Sequence, residues 1–103
     1  MTRVLLTRRP DGFSLEARGH SSGTASCNYI TGVLYALAGW CHAAAARGEA
    51  EVLRFEAHAG AMLLSVRGAG EKISAVLEAA EIGLRQLEAS EARALRVTLR
   101  GSR

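Results

Sequence analysis

The chain has only two cysteines, Cys27 and Cys41, among its 103 residues. Two cannot make a disulfide framework. If both lie on one helix, they stand roughly 21 Å apart at a rise of about 1.5 Å per residue, and a disulfide needs Cα atoms within about 7 Å. Free thiols suit a reducing compartment. The N-terminal apolar segment, Val4 to Leu6, is too short for a signal peptide, so a cytoplasmic setting is expected. Lysine is nearly absent: Lys72 is the only one, and arginine carries the formal net charge of +3. Aromatic residues make up only 5% of the chain. No basic run is interleaved with them, so a dedicated nucleic-acid module is not expected. No Asp, Glu, Lys or Arg stands between Arg18 and Arg47. A stretch that long raises a membrane span as a rival reading. Gly19, Gly23, Gly68 and Gly70 make no phosphate-binding fingerprint. Cys27, Cys41 and the three histidines have no zinc-like pairing. Neither a metal nor a cofactor is expected.

One hundred and three residues predict a single domain spanning 1–103. Residues 3 to 18 read as a hairpin. Pro10-Asp11-Gly12 supplies the turn, and Phe13, Leu15 and Ala17 alternate with polar neighbours. The uncharged stretch then reads as a long helix over 25–46. Cys27, Ile30, Leu34, Leu37 and Cys41 share one stripe, and Tyr29, Val33, Ala36 and Trp40 a second. Asn28, Thr31, Tyr35 and His42 gather on the remaining face. A lipid-facing span has little reason to sort its polar groups so, which favours a helix buried on a sheet. The second stripe should be covered by the other helix or by a second subunit. Gly48 is a plausible stop.

A second hairpin follows, with Leu53, Phe55 and Ala57 expected on one side and a turn at His58-Ala59-Gly60. Residues 71–89 form the clearest helix, with Ile73, Val76, Leu77, Ala80, Leu84 and Leu87 on one face. Glu81 and Arg85 are placed for an i, i+4 ion pair. Leu95, Val97 and Leu99 mark a last strand, with Arg96 and Arg100 on its solvated side and an RNA or ribosomal contact as the alternative reading of that pair. The order ββαββαβ predicts an α/β (α+β) fold: a two-layer sandwich of a mostly antiparallel sheet with two helices on one face.

The stretch that carries chemistry is Gly19 to Cys27. It sets a histidine in a small-residue loop and a thiol in the first turn of the long helix. Unpaired backbone N–H groups and the positive end of the helix dipole favour thiolate there. An imidazole within reach completes what a cysteine nucleophile needs. Gly23, or a neighbour in the 21–24 turn, should take an unusual backbone conformation to fold this loop back. Cys41 reads as core and His58 as a turn residue that nears the site only if the hairpin tip approaches His20.

With its Gly19-His20, its Cys27 and its Gly83-Leu84-Arg85-Gln86-Leu87 segment, the chain resembles the bacterial ribosomal-processing cysteine protease family, Prp. The resemblance implies a small cytoplasmic homodimer acting in ribosome biogenesis. It implies a thiol endopeptidase that removes the N-terminal extension of ribosomal protein bL27. Cys27 would be the nucleophile and His20 the general base and acid. Gly19, Ser22, Gly23, Ser26 and Asn28 would hold the peptide, with N–H groups of 26–28 facing the oxyanion. The His20–Cys27 loop is shorter than in typical members, and Thr24 stands where they usually carry aspartate. Those departures suit the rival expectation, a non-catalytic dimeric binding protein that keeps the fold.

Overall fold

The computed structural model describes residues 1–20 and 23–101. Its elements run β1 (Thr2–Arg9), β2 (Gly12–Arg18), α1 (Thr24–Ala46), β3 (Glu51–His58), β4 (Ala61–Arg67), α2 (Glu71–Ser90) and β5 (Leu95–Arg100). This is the ββαββαβ order that the periodicities predict. One five-stranded sheet has the order β3-β4-β2-β1-β5. Three of its pairings are antiparallel; β5 joins β1 in parallel. A parallel partner needs a crossover connection, which α2 supplies.

Alternation on the strands puts Val4, Leu6, Phe13, Leu15, Met62, Leu64, Val66, Leu95 and Val97 on one sheet face, all buried. Both helices pack on that face. α1 buries Ile30, Leu34, Leu37, Ala38, Cys41 and Ala44. α2 buries Ile73, Leu77, Ala80 and Leu84 at helical spacing, each leucine stabilising by about 1.5–3 kcal/mol. The second stripe of α1 is partly covered by α2: the Tyr29 hydroxyl donates to the Gly83 carbonyl at 2.8 Å. Tyr29 and Val33 are also the side chains nearest to Gly83 on the facing helix. Ala36 remains exposed, and the Arg47 guanidinium lies 5.9 Å over the Trp40 ring. α1 is capped by Arg47 and the chain turns away at Gly48, whose φ of +76° few other residues adopt readily. Among the described residues, no helix is long and apolar enough to cross a membrane.

Two expectations are corrected. The register of β3 slips between Val52 and Arg54, so Val52 packs on the core while Leu53 is 44% exposed. A bulge inserts a residue and reverses the alternation before it. Glu81 does not pair with Arg85. It reaches across to Arg8 on β1 at 3.1 Å, because α2 lies over that strand's end. Arg85 instead holds Glu88 at 2.8 Å and the Val97 carbonyl at 3.1 Å.

Candidate active site

Two turns and a helix start meet at one end of the sheet. β2 leaves the sheet at Gly19, whose φ is +96° and where an added Cβ would lie 2.4 Å from the Met1 carbonyl oxygen. Only glycine fits both demands. The Gly19 amide donates to the Gly60 carbonyl at 2.8 Å, which ties this exit to the β3–β4 turn. The His20 carbonyl accepts the Met1 amino group at 2.8 Å. The His20 imidazole rests on Gly60: a Cβ there would come within 2.6 Å of Nε2. Gly60 itself has a φ of +75°. Among the described residues no side chain hydrogen-bonds the imidazole, so packing on a bare glycine holds it.

The opposite wall is the start of α1. Gly23 is the N-cap and no side chain caps the helix. The first helical hydrogen bond runs from the Cys27 amide to the Gly23 carbonyl at 3.0 Å. Of the 26–28 amides expected to face an oxyanion, that of Cys27 is therefore engaged, and the helix repeat engages that of Asn28. The amides of Thr24, Ala25 and Ser26 precede that first bond and have no partner among the described residues. Cys27 is partly exposed and Ser26 half-buried, while Gly23 and Asn28 are exposed.

Between the walls lies a cavity of about 460 Å³ lined by both Cys27 and His20. Ala17, Ile30, Leu34 and Met62, all buried, give it an apolar floor; buried Thr2 and exposed Thr31, Tyr35 and His58 add polar groups. Among the described residues no Asp, Glu, Lys or Arg lines it. Gly19 belongs to the lining, whereas Gly23, Ser26 and Asn28 do not. Ser22 lies outside the described residues. Gly23 has an ordinary extended backbone, φ −139° and ψ 143°, so it does not take the unusual conformation; Gly19, where the chain leaves β2, has a positive φ. The other positions of that turn, 21 and 22, lie outside the described residues.

Thr31 and Tyr35 join the site without having been expected there, and His58 joins it on the condition set out for it. Thr31 and Tyr35 follow Cys27 by one and two helical turns, a spacing visible in the sequence. His58 arrives because the hairpin tip does approach His20. Its side chain is 72% exposed, with Nε2 4.0 Å from Glu56 Oε1. Cys41 is fully buried, and burial pushes its thiol up to about 11, leaving it protonated. Among the described residues no three His, Cys, Asp or Glu side chains converge to hold a metal ion.

No protein-family model and no curated protein matches the sequence. Solved structures do match the fold. SMU.848 from Streptococcus mutans is 18% identical with a TM-score of 0.74, covering 99% of each chain. The essential ribosomal processing protease Prp from S. aureus, in complex with a covalently linked product peptide, is 15% identical with a TM-score of 0.77. That match covers 97% of this chain and 100% of the other. The same protease with a substrate peptide is 13% identical, with a TM-score of 0.71 over the same shares. At such identities the likeness shows the fold.

Proposed function

We propose that this chain is a thiol endopeptidase that trims a short peptide extension from a ribosomal protein, with the N-terminal extension of bL27 as the substrate. The observation that carries this reading is one cavity lined by both Cys27 and His20. The shared fold supports it, because the S. aureus protease has been solved with a product peptide covalently linked. In the proposed reaction the Cys27 thiolate attacks the scissile carbonyl and His20 takes the thiol proton. The tetrahedral oxyanion faces the open amides of Thr24 to Ser26. Collapse breaks the C–N bond, His20 returns the proton to the leaving amine, and a thioester remains on Cys27. Water, activated by His20, then hydrolyses the thioester. Gly19 lines the cleft, and Gly23, Ser26, Asn28 and Ser22 are proposed to border the bound peptide beyond it. The setting is a reducing cytoplasm, in which both thiols stay free.

The exposed face of α1, with Gly32, Ala36 and Gly39, is proposed to pack against a second copy. Sedimentation at micromolar concentration should give a dimer, and a monomer would remove this assembly. The test of the activity is mass-spectrometric cleavage of a peptide spanning the bL27 processing site, with wild type and Cys27→Ala side by side. Wild type should cleave and the variant should not. Removing one sulfur costs on the order of 1 kcal/mol, so the variant should fold. Binding without cleavage by wild type would favour the non-catalytic reading.

A further inference from the structure

The sheet has a second face, away from both helices, and it carries an arrangement that no local stretch of sequence displays. Arg3 on β1 pairs in register with Arg18 on β2 and with Arg96 on β5. Three guanidiniums thus stand in one row across adjacent strands. Cβ atoms directly opposite each other are about 4.5–5.5 Å apart, and like charges so placed are destabilising. The row is not neutralised. Arg18 is bonded to Glu16, but Arg3, Arg96 and Arg100 have no ion pair among the described residues. Glu88 feels Arg96 only weakly, being held first by the Val97 amide and then by Arg85. The face's other two carboxylates on the strands, Glu56 and Glu51, are taken up by Arg54 and Arg67.

Two rows further on, Arg100 stands beside Thr7, which pairs with Ser14, which pairs with Ser65. Thr98 lies beside Leu5 in the row between. A shallow groove of about 470 Å³ runs over Arg3, Leu5, Arg18, Thr98 and Arg100, and Glu16, opposite Leu5 and bonded to Arg18, lies within it. The surface therefore offers guanidiniums and short hydroxyls, the donors that bind phosphate and sugar oxygens. It offers no aromatic ring, so it cannot stack unpaired bases. It is a sheet with no helix or ribbon standing out to enter the major groove of DNA. The wide, shallow minor groove of an A-form helix, with its 2′-hydroxyls and flanking phosphates, matches a flat face of this chemistry.

We propose that this face, centred on the row Arg18, Arg3 and Arg96 and extended by Arg100, docks double-stranded RNA through its backbone without reading sequence. The thiol cavity has α1 as one wall, whereas this groove lies on the opposite sheet face; the two linings share Gly19. The test is fluorescence anisotropy of a labelled mixed-sequence RNA duplex with the full chain at several salt concentrations. Arms hold a DNA duplex of the same sequence and a polyglutamate peptide. The variant is Arg3→Gln/Arg96→Gln/Arg100→Gln. Its control, Arg47→Gln/Lys72→Gln/Arg93→Gln, removes the same charge elsewhere. Wild type and control should bind RNA in low salt. The variant should bind at least tenfold more weakly, with a salt slope shallower by about three, near one per lost phosphate contact. Equal loss in the control, equal binding of DNA or polyglutamate, or no binding at low salt would each overturn the proposal. Should the variant not fold, photo-crosslinking of wild type to the RNA decides: adducts must map to β1, β2 and β5 rather than to the helices.

Discussion

Gly60→Ala tests whether a bare glycine positions the imidazole. Two effects follow from the structure. A φ of +75° is unfavourable for alanine by about 1–2 kcal/mol. The new Cβ would also stand 2.6 Å from His20 Nε2, where ordinary contact begins near 3.4 Å. The ring must retreat by about 0.8 Å, because all three of the nearest atoms belong to the His20 ring. A misplacement of about 1 Å can cost around 100-fold in rate. Gly48→Ala separates the two effects. Gly48 has nearly the same φ, +76°, with open space where its Cβ would go. Both variants should lose similar stability, about 5–10 °C in Tm for a chain of this size. Only Gly60→Ala should lose peptide cleavage, by about 30- to 100-fold in kcat/KM. If the two variants retain equal activity, the imidazole does not depend on Gly60 and the reasoning fails.

The two thiols should separate under alkylation. Cys27, partly exposed, should react with iodoacetamide at neutral pH, while Cys41, buried and raised to about 11, should react only after unfolding. Comparable rates in the folded protein would remove the support for a nucleophile at Cys27. Stability should also fall in acid through Glu88. The hydrogen bond from the Val97 amide, at 2.7 Å, and then Arg85 hold its carboxyl below the usual glutamate range. A depressed folded value means the contribution is complete above the unfolded value of about 4.3 and is lost as pH falls through the folded one. Glu88→Gln should flatten that acid limb in urea unfolding at pH 2–7, and an unchanged limb would contradict the assignment.

Both helices and all five strands were legible in outline from their apolar patterns, as in Ile73, Leu77, Ala80 and Leu84, although the alternation of β3 was not. Cys27 and His20, the proposed nucleophile and base, stood out as candidates for a different reason: a histidine and a cysteine flank one loop, and both line one cavity. Pairing between distant strands was not legible. Val52 turns inward through a bulge that depends on Val66 across the ladder. Arg3, Arg18 and Arg96 become neighbours only when β5 docks beside β1. His58 enters the cavity because Gly19 bonds Gly60, a contact between residues 41 positions apart. The Glu81–Arg85 spacing allowed a local pair, yet the sheet offered Glu81 a better placed partner in Arg8.

The central claim is that Cys27 and His20 act as one catalytic unit. The direct measurement is a double-mutant cycle on peptide cleavage with Cys27→Ala, His20→Ala and the pair together. Losses of residues that act together are strongly non-additive. The account predicts that each single variant falls to the same floor as the double variant, by about 1,000-fold or more, with the fold intact by circular dichroism. His20→Ala retaining activity within about tenfold of wild type, or losses that multiply across the cycle, would contradict it.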